Sequence, residues 1–376
     1  MRVRHILAFL SGNGAYGGPA TVARTLCESL GGLGVRATLL SGWDGDKRAI
    51  TDSDTYVTDA RNSFRLGSSF AGVATPSLIW ATICGRNSFD LHHVHLARDL
   101  TTMPAAIALM LMRKRYVIQP HGMLVPDPRW THRIIDLLFT RKVLLNSRAV
   151  LALNQDEARN LERLGARHST LHTVPNGIGV DVDFNKNTNS RKMPEALFVG
   201  RLHPRKRVLS FARSALLSRD SGDPISRFTV IGPDEGDLSQ LKKFISQNEL
   251  QEYLIYDGAL PTNEVHERMS NASVLVLPTQ FEQFGMVALE ALARGVPVVI
   301  DRNAGLLRYL APSNSLIAVD GTSAAEIREA ILECLVQRES KGVEAVTLVK
   351  NSRLNATTVA ADVAEIYSSA VDSATD

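Results

Sequence analysis

The sequence predicts an α/β fold of two doubly wound domains, each a parallel sheet with helices on both faces. Three observations carry this. Strand and helix signals alternate along most of the chain, the order that builds parallel sheets. At 376 residues the chain is long for one domain, and two are the default. A polar stretch over residues 181–192, rich in asparagine, separates two such series and reads as a linker. The expected boundaries are residues 1–180 for the first domain and 181–356 for the second.

In the first series, residues 5–10 read as a strand and 20–30 as a helix. Gly31-Gly-Leu-Gly34 ends that helix, and residues 35–40 form the second strand. Residues 91–95, 115–119 and 149–153 look like later strands. Residues 155–164 form a helix, because Asn154 is a good N-cap and Gly165 a good stop. Pro175-Asn-Gly177 is a turn signal. The second series runs strand 196–199, helix 209–217, strand 228–231, helix 238–247 and strand 253–256. A strand follows at 272–278, and a helix at 324–335. Residues 357–370 form a last helix of small residues, outside the second sheet.

Composition excludes several classes. Apolar content of 44% is enough for two cores, and 22% charge argues against disorder. No apolar run is long enough to span a membrane; residues 78–84 and 105–112 are far too short. Met1-Arg-Val-Arg-His-Ile-Leu reads as the first core strand rather than a signal peptide, since a glycine-rich loop follows it. Cys27, Cys84 and Cys334 are scattered, which gives no disulfide or metal framework and fits a reducing cytoplasm. The net charge of +3 is uneven: residues 1–180 carry 21 Lys and Arg against 13 Asp and Glu, the remainder 21 against 26. A basic first half suits an anionic partner, whether phospholipid surface, pyrophosphate-bearing acceptor or nucleic acid; an ordinary solvated basic face explains it equally well.

Chemistry concentrates in Glu282-Gln-Phe-Gly-Met-Val-Ala-Leu-Glu290. The strand before it places Glu282 in a loop and Glu290 within the next helix, where an open α/β sheet binds its ligand. The glycine between them allows close backbone approach, and the helix N-terminus offers N–H groups to phosphate. Earlier, Phe198-Val-Gly-Arg-Leu-His-Pro-Arg-Lys206 carries a strand into Gly200, Arg201 and Lys206. Two cations at a strand's C-terminal end can hold a diphosphate, Arg by its planar fork and Lys as a point charge. A solvated basic loop is the plain alternative, but Glu282 and Glu290 on a later strand of the same sheet favour phosphate.

Gly200-Arg201…Lys206 paired with Glu282…Phe284-Gly285…Glu290 and Gly295-Val-Pro297 resembles the retaining glycosyltransferases of family 4. Gly17-Gly18, Pro120-His121-Gly122 and Pro175-Asn-Gly177 resemble that family's glycine loop, His-Gly motif and interdomain segment. The resemblance implies the GT-B fold, two Rossmann-like domains whose sheets face a central cleft, with residues 357–376 packing back on the first domain. It implies that Arg201 and Lys206 neutralise the donor diphosphate and that Glu290 reads the ribose. Glu282 would hydrogen-bond the donor sugar, and backbone N–H groups of Phe284, Gly285, Met286 and Val287 would meet sugar or phosphate. Gly17 and Gly18 would close on the diphosphate, while His121 contacts the sugar or organises the acceptor. The donor would be a UDP- or GDP-sugar, with no cofactor and no resident metal. The acceptor would be a saccharide or a lipid-linked hydroxyl in cell-surface polysaccharide or glycolipid synthesis. Nucleic acid is not among the implied partners. The expected location is cytoplasmic, with peripheral contact with anionic membrane left open. The chain departs from the family in having Glu282-Gln283 for an acid-glycine pair, and in lacking an aromatic near the start of its last helix. A nucleotide-sugar epimerase and a silent sugar-nucleotide binder are the alternatives.

Four features invite other readings. Gly12-Asn-Gly-Ala-Tyr-Gly17 matches a dinucleotide fingerprint, but the nearest acid, Asp44, lies in a polar loop. The pairs Asp44/Asp46, Asp52/Asp54 and Asp181/Asp183 mimic a metal-binding D-x-D, yet sit in turn and linker sequence. His92, His93 and His95 lack an accompanying acid or Cys spacing, so core or cleft packing is favoured over metal binding. Residues 129–145 mix apolar residues with cations; a core helix with a basic face is the simpler account, an interfacial helix the other.

Overall fold

A computed structural model describes residues 1–11, 17–45, 53–66, 70–84, 89–179 and 193–372. The expected linker, most of the dinucleotide-like loop, and Asp46, Asp52, Asp181 and Asp183 lie outside the described residues. The described chain forms two compact units, one of residues up to Gly179 together with Ala356–Asp372, the other of the residues between.

The first unit contributes strands β1 (Arg2–Leu10), β2 (Arg36–Trp43), β3 (Tyr56–Asn62), β4 (Phe64–Arg65), β5 (Val73–Ala74), β6 (Leu91–Val94), β7 (Tyr116–Ile118), β8 (Ala149–Ala152) and β9 (Leu171–Thr173). Seven of them form one parallel sheet in the order β3-β2-β1-β6-β7-β8-β9, and β4 and β5 pair separately. The second unit holds β10 (Glu195–Val199), β11 (Arg227–Ile231), β12 (Leu254–Gly258), β13 (Val274–Leu277), β14 (Val298–Asp301) and β15 (Leu316–Val319). They form a parallel sheet in the order β12-β11-β10-β13-β14-β15. Strand order reverses between β1 and β6 in one sheet and between β10 and β13 in the other. Ligands of open α/β sheets bind in the crevice beyond the carboxyl ends at such points.

Local chemistry explains the elements. Every residue of β6, β7, β8, β13 and β14 is buried, as parallel strands covered on both faces require. The helix Gln155–Leu164 begins where Asn154 accepts from the N–H groups of Asp156 and Glu157, at 3.0 and 2.9 Å, and ends at Gly165 with φ 108°. The edge strands β3 and β9 escape the sequence reading because Tyr56 is the only buried residue in the two of them and most of the rest are polar; β15 escapes it although its four residues are apolar. The helix Thr262–Asn271 escapes it too, since Met269 is its only fully buried residue.

The last helix, Ala356–Asp372, packs against β6, β7 and the helix Gly17–Gly32. Its Val359, Ala360, Val363, Tyr367 and Ala370 join Val3, Leu26, Leu30, Leu91 and Val117 in one core. Each buried Val there contributes about 1.5–3 kcal/mol. The missing aromatic near the helix start is thus no obstacle, because Tyr367, further along, is fully buried. The helix start sits so close to the Pro175-Asn-Gly177 turn that a Cβ on Gly177 would lie 2.7 Å from the Ala356 Cα. Among the described residues, no helix is long and apolar enough to cross a membrane.

Candidate functional site

In the second unit, β10 delivers Gly200 and Arg201 to the point where strand order reverses, and a short turn, Pro204–Lys206, follows. His203 caps that turn by accepting from the Arg205 N–H at 3.1 Å. Lys206 Nζ lies 2.8 Å from Glu282 Oε2, the two side chains 23% and 18% exposed. Arg201 Nη1 reaches both carboxylate oxygens of Glu235 at 2.8 Å. Arg207, with φ 52°, turns back to Asp301 at 2.9 Å, and Asp301 is buried. Backbone bonds tie the loops together: the Gln280 N–H donates to the Arg205 carbonyl at 2.7 Å, and the Gly305 N–H to that of Glu282 at 2.9 Å. Lys206 and Glu282, expected at the diphosphate and at the sugar of the donor, are thus in direct contact with each other.

Gly285 has φ 98° and opens the helix Met286–Ala293. No atom crowds a Cβ there closer than 3.6 Å, so the left-handed backbone, not space, calls for glycine. The Leu289 N–H makes the bond to the Gly285 carbonyl, 3.1 Å long. The N–H groups of Met286, Val287 and Ala288 precede it at the positive end of the helix dipole. Phe284 is buried against Tyr309, with ring centroids 5.7 Å apart. Glu290 does not meet Glu282; its carboxylate lies 3.5 Å from His266 Nε2. On the other side of β10, Tyr256 donates to the Gly232 carbonyl at 2.9 Å, and Arg268 pairs with Asp257 at 2.8 Å.

In the first unit, Gly17 and Gly18 begin the helix after β1. A Cβ on Gly18 would meet nothing within 4 Å, so packing inside the chain does not demand glycine there. Pro120-His121-Gly122-Met123 is a turn closed by the Met123 N–H on the Pro120 carbonyl at 2.9 Å, with φ 53° at His121 and 77° at Gly122. A non-glycine residue there carries strain of about 1–2 kcal/mol. Glu157 supports the turn. Its buried carboxylate accepts from the Gly122 N–H at 2.5 Å and the Leu153 N–H at 2.6 Å. Burial raises its pKa, and the two N–H donors oppose the rise.

His121 is the outermost of four stacked imidazoles. Its Nε2 lies 2.7 Å from His95 Nδ1, and His95 Nε2 lies 3.2 Å from His5 Nδ1. The Tyr367 hydroxyl lies 2.5 Å from His93 Nδ1 and 3.4 Å from His5 Nε2. The cluster forms because His5 and His93 are register partners on β1 and β6, and His95 follows His93 on the same face. Burial lowers all four pKa values, to about 3 for His5 and about 4 for His121, so the rings are neutral near pH 7. His5, His93 and His95 place nitrogens within 4.8 Å of one another. The His93 and His95 rings, however, stack at 4.5 Å and 14°, which sends their in-plane lone pairs along parallel planes rather than to one ion.

The stretch over residues 129–145 divides in two. Val143 and Leu144 are core, as the simpler account expects. Trp130 (73% exposed), Leu137 (63%), Ile134, Leu138 and Phe139 face solvent beside the exposed cations Arg129, Arg133, Arg141 and Lys142. Asp136 is already held by Arg98, at 2.8 and 2.9 Å.

The family model for "Glycosyl transferases group 1" matches residues 180–345, and that for "Glycosyl transferase 4-like domain" matches residues 17–177. The chain belongs to the group 1, family-4-like glycosyltransferases. A D-inositol 3-phosphate glycosyltransferase of Pseudarthrobacter chlorophenolicus is 27% identical over 304 residues, 77% of this chain and 69% of that protein. Among solved structures, Anabaena Alr3699/HepE in complex with UDP aligns with a TM-score of 0.72 and 16% identity, covering 98% of this chain and all of that one. Sucrose-phosphate synthase from Thermosynechococcus elongatus gives 0.73 at 18% identity, with 98% of each chain covered. These structures show that the glycosyltransferase has the GT-B fold. Neither the epimerase nor the silent binder is favoured by these matches.

Several residues around these sites were missed by the sequence reading. Glu235, Asp301 and Glu157 are single acids in unremarked positions, and only the folded chain brings them to Arg201, Arg207 and the His121 turn. His5 and Tyr367, 362 positions apart, carry no local signal of their meeting.

Proposed function

We propose that this glycosyltransferase moves a sugar, with retention of configuration, from a UDP- or GDP-sugar to a hydroxyl of a saccharide or lipid-linked acceptor. The supporting observation is that Arg201, the Lys206–Glu282 ion pair and the N-terminus of the Met286–Ala293 helix all follow β10 and β13, the two strands between which strand order reverses. An incoming diphosphate competes with Glu282 for Lys206. Lys206 and Arg201 then face phosphate, and Glu282 is released to the sugar hydroxyls. Glu290 takes the ribose.

As the bond from anomeric carbon to phosphate oxygen breaks, negative charge grows on the diphosphate. Fixed cations and N–H dipoles stabilise it without a resident metal. The acceptor hydroxyl forms the new bond on the face the phosphate leaves, and its proton passes to the departing phosphate oxygen. His121 contacts the sugar or orders the acceptor. The exposed apolar and cationic residues at 129–142 suit contact with an anionic membrane carrying a lipid-linked acceptor.

The test is incubation with a panel of nucleotide sugars and candidate acceptors, following free nucleoside diphosphate with and without EDTA. Acceptor-stimulated release that survives EDTA is expected. Absence of turnover across the panel overturns the transferase reading, and loss in EDTA overturns its metal independence.

A further inference from the structure

Arg201 and Lys206 are both paired, but with acids of different kinds. Lys206 meets Glu282, which follows β13 and binds the donor in the function proposed above. Arg201 meets Glu235, to which that function gives no part. A pair of partly exposed charges is ordinarily worth little, because two long side chains must be held in one geometry. Here the backbone fixes the places they start from. The Gly200 N–H donates to the Ile231 carbonyl at 2.9 Å, and the Leu202 N–H to that of Pro233 at 2.8 Å. The Glu235 and Asp237 N–H groups donate back to the Leu202 carbonyl at 3.2 and 3.0 Å. A Cβ on Gly232 would collide with the Gly200 carbonyl, so the segments after β10 and β11 lie in direct contact. Asp234 Oδ1 closes the turn that carries Glu235, accepting from the Gly236 and Leu238 N–H groups at 2.8 and 3.2 Å. Glu235 thus stands at a fixed place beside Arg201.

The pairing is also one-sided. Both Glu235 oxygens take the same nitrogen of Arg201, Nη1, at 2.8 Å. Among the described residues Nε and Nη2 make no hydrogen bond, and the side chain is 37% exposed. Nε–H and one Nη2–H point the same way from one edge of the rigid guanidinium plane. Such an edge takes two oxygens of a phosphate at once.

We propose that Glu235 is a positioning residue, which keeps Nη1 of Arg201 and so presents the Nε and Nη2 edge to the donor diphosphate. Lys206 exchanges its carboxylate when the donor arrives; Arg201 keeps its own. This role rests on the diphosphate site proposed above, and the experiment tells the two apart.

UDP and GDP are titrated by calorimetry into the unaltered protein, Glu235→Ala, Glu235→Asp, Arg201→Ala and the Arg201→Ala/Glu235→Ala double variant. By charge alone, removing an acid beside a diphosphate tightens binding. Lost orientation has the opposite sign. Glu235→Ala should therefore weaken the diphosphate that binds by about threefold to tenfold, the lower range of coupling within one hydrogen-bond network. Glu235→Asp keeps the charge but draws the carboxylate back by one methylene, and should weaken it too. Because Glu235 acts through Arg201, adding Glu235→Ala to Arg201→Ala should cause no further loss, whereas a general loosening of the loop would add in full. In nitrogen-15 NMR, the Arg201 Nε–H signal, assigned by its absence from Arg201→Ala, should shift when the diphosphate binds. Unchanged or tighter binding in both Glu235 variants, while Arg201→Ala weakens it, overturns the positioning role and leaves the site in place. So does an additive double variant, or an Nε–H signal that stays where it was. Unchanged binding in Arg201→Ala overturns the site and the role together. Glu235→Asp preserves the charged turn, so the sign is read there even if Glu235→Ala folds poorly.

Discussion

The two sheets use opposite chemistry where their strand orders reverse. In the second unit the groups are charges, partly reached by solvent and already matched: Lys206 with Glu282 and Arg201 with Glu235. In the first unit they are neutral rings, with His5, His93 and His95 buried beyond solvent and linked by directional hydrogen bonds. Charges that keep partial hydration can exchange a carboxylate for a phosphate at little cost in desolvation. A buried neutral chain cannot exchange partners; it can hold one side chain in one protonation pattern. The difference suits a donor diphosphate on one sheet and an oriented imidazole on the other.

Acid should break this contrast most strongly. His5, His92 and His121 have native pKa values lowered to about 3, about 3 and about 4, below the unfolded value of about 6.5. The unfolded chain binds protons first, so their contribution is complete above pH 6.5 and is lost as pH falls through about 4 for His121 and about 3 for His5 and His92. At pH 5 each costs about 2 kcal/mol of stability relative to neutral pH. Asp99 opposes this in part. Burial raises it to about 6, so its contribution is present below the unfolded value and fades as pH rises through 6. The histidines outweigh it. Trp43, Trp80 and Trp130 all lie in the first unit, so tryptophan fluorescence reports that unit alone. Its urea midpoint should drop markedly between pH 7.5 and pH 5. An unchanged midpoint would mean that the rings are not held neutral.

A smaller effect concerns the surface at residues 129–142. Sedimentation with vesicles containing anionic phospholipid should exceed that with neutral vesicles, and Trp130→Glu with Leu137→Glu should reduce it several-fold. Equal sedimentation with both vesicle types would leave the patch without a membrane role.

How much was legible in the sequence follows the range of the interactions. The helix Gln155–Leu164 could be read to the residue because its cap and stop are local. Central strands could be read because burial on both faces leaves unbroken apolar runs. The two-domain α/β class and the family followed from several short motifs in order. The edge strands β3 and β9 were missed because strands with mostly exposed or half-buried residues resemble loops. The ion pairs and the histidine chain were missed because they join residues far apart in sequence, such as Lys206 and Glu282 or His5 and Tyr367. The stretch over residues 129–145 shows the same limit: its composition allowed a core helix, and only the fold shows Trp130 and Leu137 in solvent.

The most direct measurement of the donor site is calorimetric titration of UDP and GDP into the protein and into Arg201→Ala and Lys206→Ala. One of the two diphosphates should bind the unaltered chain. Each substitution should weaken it by about tenfold to a hundredfold, the scale of one charge-assisted contact of about 1.5–3 kcal/mol. Affinity unchanged in both variants would place the diphosphate elsewhere and contradict the account.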